Sequence, residues 1–396
     1  MGVIQRLFAK RDKPGIRAEP LAAARTISST RADWALSTSE AVYAAVTRIS
    51  NTIAQLPLHL YKGWELQSSN PLERMVAYAP NDMLTAYQFQ QAMEVYRNVE
   101  GNAYALIVPD ASGAPMRLDV LDASMVEPVR DTDTGDLWYQ FRLDDGRVAS
   151  VHSSCMIALH HASGNGQRGI RPIDVLRGTL DYDRQIKQVS IEQLQGVTNG
   201  VMLTVPGTGL NEDKRKAVVK QFISAYRESS GHVMVLEGGI TASTLAQSPV
   251  DAKVLDVERI TRNRVATVYS IPPHMLGDYS DTSYSTAEQT MREYIDLTIM
   301  PIVVQWEHEY ARKLLTWDMI QKGYRFRFDL KALNRADTAT MANMHQQAIR
   351  GGWMSVNEAR ADEGLPPVKE GERLLASKDL MPLSEIARGG TLSGGE

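Results

Sequence analysis

The stretch that decides the fold reads AKVLDVERITRNRVATVYSI at residues 252–271, PPHMLGDYSDTSY at 272–284 and STAEQTMREYIDLTIMPIVVQWEHEYARKLLT at 285–316. Its first part places apolar residues at near-helical spacing among charged ones, which is typical of an amphipathic helix with one buried stripe. Pro272 and Pro273 end this helix, because neither has an N–H to donate and the first disfavours the α conformation at Ile271. The turn formers and hydroxyls that follow predict a loop.

A second helical pattern begins after this loop. Ser285 or Thr286 is a suitable N-cap, and Glu288 is placed to close a capping box. The apolar periodicity continues through the rest of the stretch, with Pro301 inside it. An interior proline removes one backbone hydrogen bond and clashes with the carbonyl four residues back. We therefore predict a kink at residues 297–300.

The N-terminal half combines helices with short strands. Amphipathic helices are predicted at 37–55 and, after a capping box of Thr85 and Gln88, up to about Asn98. Period-two runs separated by Asp- and Gly-containing turns predict strands at 58–61, 103–108, 117–121, 126–130, 137–143 and 156–160. This succession predicts an α+β domain with a largely antiparallel sheet.

A long helix and a small insert precede the opening stretch. Pro172 is favourable in a first helical turn, and the helix that it opens is predicted to run to about Asn199, before Gly200. The insert is predicted to contain a strand at 201–205, a helix from the cap Asn211 to about 227, and two strands around 237–239. After the stretch, the patterns predict a strand at 324–330 and a helical tail at 335–387, broken at 351–352 and 364–367.

The amino-acid composition limits the classes of function that the protein can have. The 396 residues allow two or three cores, and 43 basic against 47 acidic residues, a net charge of −4, argue against a protein that grips nucleic acid over its whole surface. The single cysteine, Cys155, excludes an intramolecular disulfide. No apolar run approaches the roughly 18 residues of a membrane span. The first residues have too short an apolar core for a signal peptide, so we expect a cytosolic protein without a membrane partner.

Several segments, taken in order, resemble one known family. They are Ile53–Pro57 with Leu60–Tyr61, Gly101–Tyr104, Gly169–Pro172, Asn199–Gly200, Ile271–Gly277 (IPPHMLG), Tyr284–Glu288 (YSTAE), Thr298–Pro301 (TIMP) and Asn357–Arg360. Together they resemble the portal proteins, or head-tail connectors, of long-tailed double-stranded DNA bacteriophages and prophages, over roughly residues 40 to 380. Arg171 departs from the pattern, since the family more often has a small residue before this proline.

The resemblance implies a portal-type division of the chain. Flexible ends are expected at 1–36 and 388–396. The expected parts between them are a wing at 37–171, stem helix 1 at 172–200, a clip at 201–251, stem helix 2 at 252–271, a tunnel loop at 272–284, a kinked long helix and wing strand at 285–331, and a helical crown at 332–387.

The resemblance also implies a function without catalysis and without cofactors. About twelve copies would form a ring at one capsid vertex. This ring would pass double-stranded DNA without sequence specificity during packaging and ejection. It would contact the terminase packaging motor, the major capsid and scaffold proteins and a head-tail adaptor. Such a protein would be assembled in the host bacterial cytoplasm and end in the virion.

Three groups of residues are candidates for that function. The tunnel-loop residues Tyr279, Ser280, Asp281, Thr282, Ser283 and Tyr284 form either an ordinary surface loop or a ring of hydroxyls and aromatics around a pore, and the resemblance favours the pore. The stem candidates for the channel wall are Lys253, Arg259, Arg262 and Arg264. Lys214, Arg215, Lys216 and Lys220 on the insert helix are either solvated side chains or a surface that docks the motor.

Two other classes of protein remain as alternatives. Gly164–Gly169 forms a GxGxxG between a strand and a helix, as in a nucleotide-dependent enzyme, but no acidic residue ends the following strand to bind a ribose. A monomeric scaffold or adaptor is the other alternative. His152, Cys155, His160 and His161 match no zinc spacing, and no phosphate-binding loop is present, so the energy for DNA movement must come from a partner.

Overall fold

We describe the protein from a computed structural model, which covers residues 30–142, 147–194, 201–204, 211–228, 241–244, 250–278, 284–333 and 338–374. The helices are α1 (Arg31–Leu36), α2 (Glu40–Ala54), α3 (Pro71–Ala77), α4 (Ala86–Glu100), α5 (Pro172–Leu194), α6 (Glu212–Glu228), α7 (Val250–Val268), α8 (Tyr284–Tyr294), α9 (Met300–Leu314), α10 (Trp317–Gln321), α11 (Thr338–Arg350) and α12 (Val356–Asp362).

The strands are β1 (Leu58–Lys62), β2 (Glu65–Leu66), β3 (Asn102–Pro109), β4 (Pro115–Leu121), β5 (Val126–Arg130), β6 (Leu137–Arg142), β7 (Val148–His152), β8 (Met156–His160), β9 (Val201–Thr204), β10 (Thr241–Thr244) and β11 (Tyr324–Phe328). They pair antiparallel in the orders β11-β1-β2, β4-β3-β8, β5-β6-β7 and β10-β9. The predicted α+β class with antiparallel sheets is confirmed.

Local capping explains where the first helices begin. The Ser39 hydroxyl accepts a hydrogen bond from the Val42 amide and opens α2. Thr85 and Gln88 form the predicted capping box of α4, and Gly101 ends this helix in the left-handed conformation at φ +72°. Each cap satisfies backbone groups that the helix cannot pair internally.

The main core lies where α2, α4 and α9 meet the sheets. Trp306 of α9 is fully buried and contacts the ring of Phe328, while Tyr310 contacts Phe326, both on β11. The inner face of the β11-β1-β2 sheet therefore packs on α9. Since β11 lies more than 260 residues after β1, their pairing closes the wing by a contact between distant parts of the chain.

Some boundaries differ from the sequence expectations. Residues 31–36, expected within a flexible end, form α1, because Thr30 and Asp33 close a capping box and Ala32 is buried. The short elements α3, α10 and β2 were not predicted, since none spans two full periods of a pattern. Strand β7 (VASVH) spans two periods but was also not predicted, since apolar and polar residues do not alternate strictly along it. Tyr284 already lies in α8, so Ser285 and Thr286 are helical residues rather than caps. The strand predicted at 324–330 ends at Phe328.

The C-terminal part follows the predicted breaks but not the whole predicted helical tail. Helices α11 and α12 flank residues 351–355, which contain the predicted Gly351–Gly352 break, whereas residues 368–374, predicted to be helical after the second break, form no helix. Residues 195–200, 229–240 and 375–396, which carry the expected end of the long helix, part of the insert and the tail, lie outside the described residues. In the part that the structure describes, no helix has the length and hydrophobicity of a membrane span.

Candidate functional site

The end of α7 is fixed firmly before the candidate loop begins. Ile271 donates its amide to the Ala266 carbonyl at 2.8 Å, and the Tyr269 hydroxyl donates to the Asn98 carbonyl at 3.0 Å. Both side chains are buried, and burial raises the pKa of the Tyr269 phenol. Ser270 adopts φ +54°, a left-handed conformation that costs a non-glycine residue roughly 1–2 kcal/mol. The surrounding contacts must stabilise this turn by at least that amount.

The chain after α7 folds back onto it. Residues Pro273–Leu276 form one 3-10 turn, and Gly277 follows at φ +91°. The Asp278 carboxylate then accepts from Arg259 Nε of α7 at 3.1 Å. This ion pair attaches the last described residue before the loop to the side of the stem helix.

The far side of the loop leads into an interrupted helix. Between α8 and α9, residues Ile295–Ile299 form a π-helical turn in which the Met300 amide donates to the Ile295 carbonyl. Pro301 is the second residue of α9 and is preceded by helical residues without a break, so the π turn accommodates its missing N–H inside a continuous helical segment. The irregularity lies where the sequence predicts a kink, and a π turn is a recognised origin of one. The kink angle itself stays a prediction.

One side-chain contact joins the residues before the loop to the π turn that follows α8. The hydroxyl of Thr298, in the π turn, donates to the carbonyl of Ser270, the residue in the left-handed conformation. The Thr298 side chain is buried, whereas Ser270 is exposed, so the contact lies at the boundary between the core and the surface. The segment that contains the loop and α8 therefore begins and ends at one contact, and we call its two ends, Tyr269–Ile271 with Ile295–Ile299, the loop base.

The loop candidates themselves are only partly placed. Residues 279–283 lie outside the described residues, and of Tyr284 only the backbone, as the first residue of α8, is described. The structure thus fixes the anchors of the loop but does not test the roles proposed for its residues.

The stem candidates have defined neighbours. Arg264 donates to the Thr179 hydroxyl of α5 at 3.4 Å and so connects the two stem helices. Arg259 binds Asp278, as described above, and the Arg262 side chain reaches Gly277. The side chain of Lys253 lies outside the described residues. The arginines therefore hold the stem and the loop together, a role that their sequence pattern did not indicate.

The basic residues of the insert lie on the surface of α6. Lys214, Arg215, Lys216 and Lys220 are all exposed. Lys216 forms an ion pair with Glu212 at 3.0 Å, with both side chains about three-quarters exposed. Such a pair contributes little to stability, so Lys216 can exchange it for another partner at small cost.

The glycine motif has a structural explanation. A Cβ on Gly169 would lie 2.2 Å from the Gly101 carbonyl oxygen and 2.7 Å from the His161 amide nitrogen, so no side chain fits. The Asn102 side chain accepts from the Gly169 amide at 2.7 Å and so also holds Gly169 close to the Gly101 backbone. Moreover, β9 pairs antiparallel with β10 in a sheet of its own, whereas β8 pairs with β3. The βαβ unit that a dinucleotide site requires is therefore not formed around α5.

The contacts of the histidines indicate a structural role. His160 Nδ1 lies 3.0 Å from the Asn102 side-chain oxygen, and His152 Nδ1 lies 2.8 Å from the Ser154 hydroxyl. Burial, with the nearby Arg97 guanidinium, lowers the pKa of both His160 and His161 to about 4. Among the residues that the structure describes, no three His, Cys, Asp or Glu side chains are arranged to hold a metal ion.

A buried polar network connects the loop base to the body and was missed from the sequence. Glu94 is fully buried and accepts from Trp306 Nε1 at 2.6 Å and from the Asn98 amide group at 3.1 Å. Arg97 lies beside this carboxylate and donates to Gln305 of α9 at 3.1 Å. The Asn98 carbonyl is the acceptor of Tyr269, so α4 links α7 with α9. The sequence contained a signal for this network, because the charged residues Glu94 and Arg97 interrupt the buried face of α4.

Comparison with known proteins identifies the family. The sequence model of the phage portal protein family matches residues 40–364. The chain belongs to the phage portal protein family. The portal protein of Enterobacteria phage HK97 is 23% identical over 367 residues, which cover 87% of this chain and 83% of that protein.

Solved structures show the same fold. The neck of an empty gene transfer agent particle, computed with C6 symmetry, matches with a TM-score of 0.60 at 18% identity, over 84% of this chain and 92% of that one. The neck of the native particle, computed with C12 symmetry, gives 0.56 at the same identity and coverage. The crystal structure of an HK97-family phage portal protein from Corynebacterium diphtheriae gives 0.58 at 17% identity, over 78% of this chain and 98% of that one.

Proposed function

We propose that this chain is the subunit of a portal ring that occupies one capsid vertex and passes double-stranded DNA. The observation that carries the proposal is the pair of stem helices, α5 and α7, whose outer surfaces expose large apolar side chains. These are Val175, Tyr182, Ile191 and Ile260, each about half exposed or more.

Exposed apolar side chains on two adjoining helices indicate an interface. Val257 and Val265 of α7 are buried, as is Leu176 of α5, so each helix already has a covered side. Val175 and Tyr182 are seven residues apart on α5 and therefore lie on one face of it, away from Leu176. Exposed apolar side chains on one face of a helix, as Val175 and Tyr182 are, indicate a site of association.

The association we propose is a closed ring with heterologous contacts. In such a ring, one face of each subunit meets a different face of the next, and the rotation closes after a fixed number of copies. About twelve copies is the number we propose, supported by the C12 symmetry with which the related native gene transfer agent neck was computed.

Within this ring we assign the loop 279–284 to the channel. Its hydroxyls can make neutral hydrogen bonds to phosphates, and such contacts release fewer counterions than lysine or arginine contacts and exchange readily. The loop base anchors the segment that contains the loop and α8, which lets the loop contact passing DNA while the stem keeps its position. Sequence-independent passage is consistent with the net charge of −4.

The partners follow from the same assignment. We propose that the packaging motor docks on the basic face of α6, and that the wing meets capsid and scaffold protein while a head-tail adaptor follows after packaging. The double variant Lys216→Glu with Lys220→Glu should keep its rings yet bind less motor in a pull-down. Undiminished motor binding would remove the docking surface from the proposal.

The ring is tested by the variant Tyr182→Glu, which places a charge on the apolar face of α5. We expect native mass spectrometry to show rings for the unchanged protein and mainly monomers for this variant. Tyr78→Glu is the matched control, because Tyr78 is 68% exposed and follows α3 in the wing, outside the stem. Monomers of the unchanged chain under assembly conditions, or intact rings of Tyr182→Glu, would contradict the proposed interface.

A further inference from the structure

Among the strands of the described residues, β11 lies at the edge of its sheet, since the order is β11-β1-β2. The Asp329 amide donates to the Pro57 carbonyl at 2.9 Å, and at the other end the Gly63 amide donates to the Gly323 carbonyl at 3.0 Å. In an antiparallel pair such bonded positions alternate along the strand. The odd-numbered residues of β11 therefore direct their backbone groups toward β1, and the even-numbered residues direct theirs to the open side.

On this open side, the described residues provide one contact, which lies at the Phe328 end of the strand. The Phe328 amide donates to Glu307 Oε1 of α9 at 2.9 Å. The backbone groups of Phe326 and Tyr324 continue along the same edge. A strand edge of this kind offers a ready row of donors and acceptors to an additional strand.

The outer face of this sheet is basic and aromatic. Arg325 and Arg327 alternate with the buried phenylalanines of β11 and so point away from the core. Across the sheet, Arg325 lies opposite Tyr61 and Arg327 lies opposite His59. The guanidinium carbon of Arg325 lies 4.8 Å from the centre of the Trp64 ring, and Trp64 is 84% exposed. This combination presents positive charge next to an apolar surface.

These side chains line a groove of about 460 Å³. Its walls are Tyr61, Trp64, Arg325, Arg327, Phe328, Asp329 and Leu330. Arg325 donates to the Gly63 carbonyl at 2.8 Å, yet its Nε is buried without a hydrogen-bond partner among the described residues. A carboxylate is the group that best satisfies a guanidinium with free donors.

We propose that this edge and groove bind an extended acidic segment of a partner protein, which adds a strand beside β11. In an extended segment, carboxylates two residues apart lie on the same side, roughly 6.5–7 Å from each other. Arg325 and Arg327 are also two residues apart on one side of β11, so the two spacings match. The segment gains backbone hydrogen bonds from Tyr324 and Phe326, and the aliphatic part of its side chains packs on Trp64.

Charge complementarity selects this occupant. The carboxylate of Glu307 beside the edge has its pKa raised by burial, and Arg327, His308 and Arg325 act in the opposite direction. Arg325 and Arg327 lie beside two carboxylates, those of Glu307 and Asp329, and the buried Nε of Arg325 is the donor for which the described residues offer no acceptor. Single-stranded nucleic acid also stacks on aromatic and arginine side chains, but it offers no backbone that would pair with a strand edge. The inference does not depend on ring formation.

The experiment measures both affinity and backbone pairing on the full chain. The probe is a fluorescent peptide that alternates Glu and Val, compared with a peptide of equal composition in which the Glu residues form one block. We expect the alternating peptide to bind more tightly and to slow hydrogen exchange at the amides of Tyr324 and Phe326. The variant Arg327→Glu should weaken its binding by about tenfold or more, the value of one charge-assisted contact.

A matched control and a competitor decide the outcome. Arg117→Glu changes an exposed arginine on β4, in another sheet, and should leave peptide binding unchanged. Equal binding of the alternating and block peptides, or binding without slower exchange at 324 and 326, would show a diffuse electrostatic contact and overturn the proposal. Tighter binding of an oligothymidine, with loss on Arg327→Glu, would assign the groove to nucleic acid and overturn it as well.

Discussion

The hydrogen bond from Thr298 to the Ser270 carbonyl is the contact whose removal should act most specifically on the loop. Thr298→Val keeps the shape of the side chain and removes its hydroxyl, so the Ser270 carbonyl loses this part-buried contact. Ser270 itself is exposed, so water can replace the hydroxyl in part, and the loss of one such hydrogen bond costs roughly 0.5–1.5 kcal/mol. Because Ser270 adopts a left-handed backbone conformation, this cost falls on a turn that its surroundings must hold in place.

The expected result is a local opening rather than global unfolding. The Ile271 amide, which donates to Ala266 at 2.8 Å, reports on this turn. A loss of about 0.5–1.5 kcal/mol corresponds to a factor of about 2–13 in an equilibrium constant, so hydrogen exchange at Ile271 should speed up by that factor. Ring assembly should persist, and particles should package less DNA if the loop base controls the loop.

The control is Thr298→Ser, which retains the hydroxyl and should leave exchange at Ile271 near that of the unchanged protein. If the valine and serine variants exchange alike, the hydroxyl does not hold the loop base and the reasoning fails. If exchange rises in the valine variant while DNA packaging stays complete, the loop base is a structural element only.

Three further outcomes are expected. Replacing Ser280 to Ser283 with glycines should leave rings and procapsids normal but lower the DNA content of particles, measured by density; full genomes in these particles would make the loop a simple connector. Gly169→Ala should lower the stability of the wing by about 1–3 kcal/mol or more because its Cβ would overlap the Gly101 carbonyl, whereas Gly164→Ala, in open space, should be neutral in thermal unfolding. For the buried histidines, a folded pKa of about 4 lies below the ordinary value of 6.5, so the unfolded chain binds more protons between these values. Stability should therefore fall as the pH falls from about 6.5 to about 4, and denaturant titrations of His160→Gln should show a shallower fall over the same range.

The sequence by itself determined the succession of elements. Capping boxes, prolines and short apolar periods are local signals, so Thr85, Pro172 and the Pro272–Pro273 pair predicted helix boundaries that the structure confirms. The order of motifs also sufficed to indicate the family, because it depends on neither contacts nor geometry. Elements too short to show a period, such as α3 and β2, carried no such signal.

Only the tertiary structure decided which distant residues meet. The pairing of β11 with β1, the burial of Glu94 under Trp306, and the contact of Thr298 with Ser270 each join parts of the chain that no local pattern relates. Likewise, the arginines of α7 have the same sequence pattern whether they face water, DNA or a neighbouring helix. Their partners are fixed by packing, since the free energy of a charged side chain depends on what surrounds it and not on its position in a periodic pattern.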